Sequence, residues 1–348
     1  MSGGEAMQRT DSTFYLLRQR PYPAKISLVI PMYNEEPVVP FLRAAVEAFL
    51  SELHAEAEVI LVNDGSKDST LRMIFKWAQQ DPRIKILNFS RNFGHQIACT
   101  AGLDYAGGDA VVLLDADLQD PLPVVHQMIE RYCEGYDVVY GQRKARLGET
   151  RFKRLTAWLF YRFMRKFVHK DLPVDTGDFR LLSRSCLNAL QTMRETHRFL
   201  RGMVAWVGFP QIGVRYERSP RVAGTTKYPM RKMLKFARTA ATSFSTLPLK
   251  ASTWLGVIVA LLGLEEAVRA FLAKIFHWYV VPGWSSLTVL ISVIGGATLI
   301  SLGMLGEYVG KIYEQGKNRP LYVVSQTVNV GSNTDVETDL HEAVKGCH

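Results

Sequence analysis

The sequence is poor in cysteine and lacks a secretion signal. Its four cysteines are isolated and form no CxxC pair or zinc-like cluster with histidine: Cys99, Cys133, Cys186 and Cys347. Isolated thiols are typical of a reducing compartment. No apolar run of signal-peptide length occurs between Met1 and Tyr22. We therefore expect the amino-terminal part of the chain to stay in the cytoplasm.

Two nucleotide-binding motifs are also missing. There is no GxGxxG, which excludes the dinucleotide fingerprint, and no GxxxxGK(S/T), which excludes a P-loop. With 26 glycines and 15 prolines the chain is neither collagen-like nor of low complexity, and its 47% of hydrophobic residues excludes bulk disorder. A chain of 348 residues can form one large domain with an appendage, or two domains.

Positive charge is in excess and concentrated in one segment. The formal net charge of +9 indicates an anionic partner, such as a phosphate ligand, an acidic membrane or nucleic acid. Residues 143–170 hold ten basic residues against Glu149 alone, interleaved with Phe152, Trp158, Phe160, Tyr161, Phe163 and Phe167. This mixture suits a membrane headgroup surface, with a basic surface helix as the alternative. No DNA-binding motif is present, so nucleic acid is not the expected partner.

Two apolar stretches predict membrane helices. Residues 284–306 carry no charge and match the roughly 20 residues of a membrane span. Residues 251–275 begin with an apolar run that alone suits a core or re-entrant helix, and then contain Glu265, Glu266 and Arg269. We favour a second span, in which Glu265 and Arg269 pair at i,i+4. Charges inside a membrane normally face another helix, which favours a homo-oligomer such as a tetramer.

Basic residues flank these stretches on one side. Five precede them and three follow, whereas the connecting loop has only Lys274: Arg231, Lys232, Lys235, Arg238, Lys250, Lys311, Lys317 and Arg319. The positive-inside rule then places the domain before these stretches and both termini in the cytoplasm, with the chain multi-pass in the inner membrane. Residues 229–250 predict amphipathic juxtamembrane helices on the anionic leaflet, or else a surface helix of the preceding domain. Residues 1–24 and 307–348 are expected to be tails.

Residues 25–228 show the alternation of an α/β domain. Short apolar runs at 26–30, 58–62, 84–89, 110–114 and 137–140 predict strands. Longer amphipathic runs at 38–53, 69–79, 95–105 and 122–132 predict helices between them. This order predicts a Rossmann-like, mostly parallel sheet with helices on both faces.

A polar cluster follows each of the first four predicted strands. The clusters are PMYNEE from Pro31, NDGS from Asn63, SRNFG from Ser90 and DADLQDP from Asp115. In open α/β sheets ligands bind beyond the carboxyl ends of the strands. The four clusters therefore outline one crevice.

The crevice is rich in oxygen ligands. Asp115 and Asp117 point to the same side of an extended strand end, so together they can hold Mg²⁺ or Mn²⁺, with Gln119 as a third ligand. The alternative is a solvated Asx turn, which the buried strand before it disfavours. Asp64 and Glu35 can accept hydrogen bonds from a base or ribose, although Asn-Asp-Gly also favours a simple tight turn.

These motifs, together with DTGDFRLL from Asp175, resemble the family-2 glycosyltransferases with a GT-A fold. RGMVAWVGF from Arg201, YER from Tyr216 and AGTTKY from Ala223 are similar to the polyprenyl-phosphate branch, with bactoprenol glucosyltransferases and dolichol-phosphate mannose synthases. The resemblance covers residues 25–317. It implies transfer of a sugar from a nucleotide-sugar to polyprenyl (undecaprenyl) phosphate with inversion, and UDP-glucose or another UDP-hexose is the expected donor.

The resemblance also implies the site residues. The nucleotide-sugar would be held by Pro31, Tyr33, Glu35, Asp64, Arg91 and Asp115. The metal ligands would be Asp115, Asp117 and Gln119. The acceptor phosphate would be bound by Arg143, Arg154 and Lys227. Catalytic roles would fall to Asp178, Asp117 and Lys227.

Asp178 is the base-like carboxylate of this pattern. A phosphate monoester is mostly dianionic at neutral pH, so we expect Asp178 to orient the acceptor or a lysine and not to take a proton. The alternative is a helix N-cap.

His95 receives no role. A polymerising enzyme is disfavoured because Gln191 is followed by Arg194 and Glu195 and not by QxxRW. A different lipid or glycan acceptor and a non-catalytic nucleotide-sugar or lipid scaffold are the remaining alternatives.

Overall fold

A computed structural model describes residues 6–10, 13–143, 176–218, 247–276 and 284–330. The strands are β1 Ala6–Thr10, β2 Thr13–Leu17, β3 Lys25–Met32, β4 Glu56–Asn63, β5 Ile84–Phe89, β6 Ala110–Leu113, β7 Val138–Arg143, β8 Thr176–Ser183, β9 Gln211–Tyr216 and β10 Val324–Val328. The helices are α1 Val39–Glu52, α2 Thr70–Gln80, α3 His95–Tyr105, α4 Val124–Cys133, α5 Arg184–Gln191, α6 Leu200–Val207, α7 Leu247–Ile275 and α8 Trp284–Gly316.

The central sheet has eight strands in the order β10-β5-β4-β3-β6-β8-β7-β9. Strands β5, β4, β3 and β6 run parallel, and β7 is parallel to β9. Strand β8 is antiparallel to both β6 and β7, and β10 is antiparallel to β5. The mostly parallel sheet is therefore confirmed. The predicted strands and helices of the first half agree with the structure to within a few residues.

Hydrophobic layers cover both faces of the sheet. Leu28 and Ile30 of β3 pack with α1, α2 and α4, whereas Val29 between them packs with α3, α5 and α6. This alternation is the period-2 pattern of a strand buried on both faces. Gly102 lets α3 approach β3, because a Cβ there would collide with the side chain of Val29. Helix α3 is thus held close to the strands whose ends form the crevice.

Helices α7 and α8 contain the two predicted apolar stretches. Among the described residues, Val293–Gly316 is the one helical stretch with the length and composition to cross a membrane. Residues 252–265 form a shorter apolar stretch. Large apolar side chains are exposed on both helices, among them Trp254, Leu261, Ile291 and Leu299. The two helices are confirmed as helices, and the crossing of a membrane by either of them stays a prediction.

Strand β10 was not predicted. It lies in the segment 307–348 that the sequence suggested to be a tail, yet it completes one edge of the central sheet. The expected amino-terminal tail contains the hairpin β1–β2. Strand β10 is short and has no fully buried residue, so its hydrophobic pattern is weak.

Glu58 is a buried carboxylate at the opposite end of the sheet from the crevice. Its oxygens accept hydrogen bonds from Ser27 Oγ at 2.6 Å, Gly107 N at 2.6 Å and Lys85 Nζ at 2.8 Å, and Lys25 Nζ lies 2.9 Å away. Burial alone would raise the pKa of Glu58, but these bonds outweigh it and lower the pKa to about 2. The ionised carboxylate therefore stabilises the fold.

Replacing Glu58 with glutamine should lower the free energy of unfolding at pH 7 by about 3 kcal/mol. A lowered folded-state pKa gives stability that is present above the unfolded pKa and is lost as pH falls towards about 2. The difference in free energy of unfolding between wild type and Glu58→Gln should therefore become smaller below about pH 4.5. Denaturant unfolding of both proteins at pH 7, 4 and 3 measures this, and a constant gap would contradict the assignment.

Candidate active site

The polar clusters meet at the carboxyl ends of β3, β4, β5 and β6, as predicted. The loop after β3 is bonded to the loop after β4: Asn34 N donates to Ser66 Oγ at 2.9 Å, and Glu35 N donates to Thr70 Oγ1 at 2.9 Å. Pro31 is buried in β3, and Tyr33 and Glu35 are half-buried in this loop. The structure thus brings the predicted nucleoside residues to one rim of the crevice.

Asp64 organises the next loop. Its carboxylate accepts hydrogen bonds from Asn92 Nδ2 at 2.9 Å, Phe93 N at 2.7 Å and Gly94 N at 3.0 Å. Gly94 has a φ of 103°, which favours glycine. Arg91 is exposed, with its guanidinium 4.1 Å from the centre of the Phe93 ring. Burial raises the pKa of Asp64 although these backbone bonds oppose it. Asp64 therefore fixes the loop that carries Arg91.

Asp115 and Asp117 follow β6 and are half-buried beside Gln119. Gln119 N donates to Asp117 Oδ1 at 3.2 Å. Burial and the neighbouring carboxylates of Asp178, Asp120 and Asp117 raise the pKa of Asp115 to about 6, although His95 opposes this. Asp115 therefore occupies a desolvated position close to three other carboxylates.

These residues fit a divalent cation held jointly with its ligand. Within the described ranges, no three His, Cys, Asp or Glu side chains are close enough to hold an ion by themselves. Mg²⁺ is usually bound by one or two carboxylates plus phosphate oxygens and water, because it dehydrates reluctantly. Asp115 and Asp117 supply two such carboxylates on one loop, which suits a divalent cation.

Asp178 lies inside β8 and is buried. It accepts hydrogen bonds from Arg201 Nε at 2.8 Å and Gln96 Nε2 at 3.2 Å, and His95 Nε2 is 3.2 Å away. Burial alone would raise the pKa of Asp178, but Arg201 and His95 hold it well below its usual range. A carboxylate held in this way is a poor base, and a role of Asp178 in orienting the acceptor or a lysine stays a prediction. The alternative of a helix N-cap is wrong, since Ser183 caps α5.

His95 joins the two carboxylate groups. Its Nε2 lies 3.2 Å from Asp178 Oδ2 and 3.5 Å from Asp115 Oδ1. The sequence assigned it no role, and Gln96 and Arg201 were likewise missed. The signal for His95 and Gln96 was their position at the start of α3, directly after the third polar cluster. Arg201 had no comparable signal, since it meets Asp178 only in the folded chain.

A second cluster of polar side chains joins residues 115–120 to strands β7 and β9 across the crevice. We call residues 115–120 the metal loop, because they carry the predicted metal ligands. Tyr216 OH donates to Asp120 Oδ1, and the guanidinium groups of Arg143 and Arg218 lie 4.0 Å and 3.9 Å from the same oxygen. Arg143 Nε also donates to Tyr216 OH at 3.5 Å. Gly177 allows this approach, because a Cβ there would lie 2.9 Å from Arg143 Nη2. Two guanidinium groups thus lie beside the metal loop, where they suit an anion.

Two predicted residues, Arg154 and Lys227, lie outside the described residues, as do most of the basic segment 143–170 and residues 229–246.

The fold and the site define a glycosyltransferase with a GT-A-like α/β fold. The family model "Glycosyl transferase family 2" matches residues 27–190. The chain belongs to glycosyltransferase family 2, and it groups there with the polyprenyl-phosphate glycosyltransferases.

Three relatives and one solved structure give the extent of the similarity. Glycosyltransferase sll0501 of Synechocystis is 47% identical over 86% of this chain and 95% of its own. YkcC of Bacillus subtilis is 44% identical over 90% and 97%. A bactoprenol glucosyl transferase of Shigella phage SfII is 40% identical over 87% and 98%. A mannosyltransferase of Pyrobaculum calidifontis, solved with GDP-Man and Mn²⁺, aligns over 81% and 88% with 16% identity and a TM-score of 0.40.

Proposed function

We propose that the protein transfers a sugar from a UDP-hexose, with UDP-glucose as the first candidate, to undecaprenyl phosphate with inversion at the anomeric carbon. The observation that carries this proposal is the 40% identity to a bactoprenol glucosyl transferase along 98% of that protein. The product would be a polyprenyl-monophosphate-sugar for modification of cell-envelope glycans or lipids.

The donor would lie across the ends of β3 to β6. Asp64 fixes residues 92–94 beside the proposed nucleoside position, and Tyr33 and Glu35 lie in the neighbouring loop after β3. Asp115, Asp117 and Gln119 would hold Mg²⁺ or Mn²⁺ on the diphosphate. When bound, the ion stabilises negative charge on the departing nucleoside diphosphate. The two carboxylates orient this end of the donor.

The acceptor phosphate would bind at the guanidinium pair Arg143 and Arg218, with Arg154 and Lys227 as further ligands. The dianionic phosphate needs no general base, which agrees with the lowered pKa of Asp178. Asp178 instead holds Arg201 and His95 in fixed positions between the metal loop and the acceptor. Fixed charges of this kind stabilise a transition state without reorganisation.

We also propose that α7 and α8 cross the inner membrane as a hairpin, with the catalytic domain and both termini in the cytoplasm. The exposed apolar side chains of both helices and the basic residues around them support this topology. Glu265 is exposed on α7, which supports contacts between chains in a homo-oligomer.

A donor panel tests the reaction. Purified full-length protein in detergent would receive undecaprenyl phosphate, Mg²⁺ or Mn²⁺ and one labelled nucleotide-sugar at a time. We expect one UDP-hexose to label the organic phase, and EDTA to abolish that label. No transfer from any donor by folded protein that still binds UDP would exclude the polyprenyl acceptor. That result would favour another lipid or glycan acceptor, or a non-catalytic binding scaffold.

The pair Asp120 and Tyr216 should affect the binding of the acceptor. Tyr216→Phe removes the hydroxyl that accepts from Arg143 Nε, and Asp120→Asn removes the negative charge 4.0 Å from the Arg143 guanidinium, so we expect KM for undecaprenyl phosphate to rise about tenfold. KM for the donor should change less than twofold, by about the error of such measurements. Steady-state kinetics with each substrate varied in turn measure both, and a selective rise in donor KM would contradict this assignment.

A further inference from the structure

The chain returns to the catalytic sheet directly after the membrane helix. Helix α8 ends at Gly316, and residues 322–329, which we call the clasp, contain β10. Strand β10 pairs with β5, whose other neighbour is β4. Strand β5 leads into residues 90–94, and β4 ends at Asn63, directly before Asp64. The clasp therefore lies against the elements that form the proposed donor site.

A chain of hydrogen bonds joins the clasp to the end of β5, directly before residues 90–94, which we call the donor loop. Ser90 N donates to Val323 O at 3.0 Å, directly before Arg91. Ser325 Oγ donates to Asn88 O at 3.0 Å and accepts from Asn88 Nδ2 at 3.1 Å. Asn88 Oδ1 in turn accepts from Asn63 Nδ2 at 2.7 Å. The clasp thus bonds directly to the end of β5 and, through the Asn88 side chain, indirectly to the end of β4.

Tyr322 connects the clasp to helix α3. Its ring stacks on Phe89 with centres 5.4 Å apart, and Phe93 meets the same Phe89 ring edge-on at 5.5 Å. Its hydroxyl donates to Asp104 Oδ2 at 2.8 Å. Asp104 is near the end of α3, whose first residues contact Asp178. The Tyr322 side chain therefore contacts α3 directly and reaches the donor loop through Phe89.

The end of α8 also contacts the catalytic domain. Thr196 N donates to Gln315 Oε1 at 2.7 Å, and Gln315 Nε2 donates to Arg194 O at 3.2 Å. These residues directly precede α6, which carries Arg201. The membrane helix is thus attached to the catalytic domain on both sides of the short connection 317–321.

We propose that the clasp is a positioning element of the donor site: it fixes residues 90–94, and through them Asp64, for a nucleoside diphosphate. The inference rests on the proposed function for the identity of that ligand. Without the clasp, the edge of β5 and the amide of Ser90 lose their partners, and the loop gains freedom that ligand binding must remove. The membrane helix and the donor site are then parts of one rigid unit.

Point variants of the full-length protein in detergent test the proposal. Tyr322→Ala and Ser325→Ala remove contacts to Phe89 and Asn88, the residues of β5 that lead into the donor loop. Asn329→Ala is the matched control, because its side chain donates to Ala78 O and Ile84 O at the other end of the clasp. We expect UDP, measured by calorimetry with Mn²⁺, to bind about tenfold more weakly to the first two variants. Asn329→Ala should lower the melting temperature without changing the UDP Kd.

Hydrogen exchange gives a readout that needs no ligand. Peptides covering residues 88–96 should exchange faster in Tyr322→Ala than in wild type, and Asn329→Ala should leave them unchanged. If these peptides exchange at the wild-type rate in Tyr322→Ala, the proposal is overturned, even if the protein does not bind UDP. If wild type binds UDP, an unchanged UDP Kd in both donor-loop variants would also overturn it. Failure of wild type to bind any nucleotide counts against the proposed function alone.

Discussion

Asp178→Asn should lower turnover by about a hundredfold to a thousandfold while UDP still binds. The carboxylate neutralises Arg201 and His95 between the metal loop and the acceptor, and an amide cannot do so. The loss should appear in kcat, because Asp178 is not among the residues proposed to hold the nucleoside. Single-turnover transfer with saturating donor and acceptor measures it, and near wild-type turnover would end the catalytic role.

The same change leaves the half-buried positive charges of Arg201 and His95 without their buried partner, which costs about 1–3 kcal/mol of stability. The double variant Asp178→Asn with Arg201→Gln separates the two effects. Removing both charges should recover much of the melting temperature and none of the turnover. Recovery of turnover together with stability would show that Asp178 serves the fold alone.

Asp117→Asn should reduce metal-dependent transfer by about a hundredfold or more. The amide keeps the shape of the side chain but removes the charge that a divalent cation requires at this position. Titration of Mn²⁺ into protein with UDP should show weaker binding of the ion, and excess Mn²⁺ should restore part of the activity.

Asp81→Asn is a matched control for that experiment. Asp81 is paired with Arg83 at 2.7 Å beyond the end of α2, away from the crevice. We expect this variant to keep wild-type transfer and wild-type affinity for Mn²⁺. Equal losses in both variants would mean that general charge, and not a ligand at Asp117, supports the reaction.

The parallel half of the sheet was predictable because each strand is an apolar run buried on both faces. Strands β3, β4, β5 and β6 also end in polar clusters, so the crevice followed from their order in the chain. Strands β8, β9 and β10 were not predicted, because TGDFRLLS, QIGVRY and VSQTV show no comparable run. Their places in the sheet depend on pairing with residues far away in sequence.

The site shows the same division. Asp64, Asp115 and Asp117 stand in short motifs whose chemistry is local, and these were found. Asp178 was found only by resemblance, and its partners His95 and Arg201 lie 83 and 23 residues away in sequence. Tyr216 and Asp120 are 96 residues apart. Such pairs depend on tertiary folding, which a single sequence does not reveal.

Strand β10 constrains the path of the chain through a bilayer. The chain leaves the catalytic sheet after β9 and re-enters the same sheet at Val324. Both points therefore lie on one side of any membrane crossed between them, and the number of crossings must be even. If the stretch Val293–Gly316 crosses, α7 must supply the return passage and carry Glu265 and Arg269 with it. A single crossing is incompatible with this sheet.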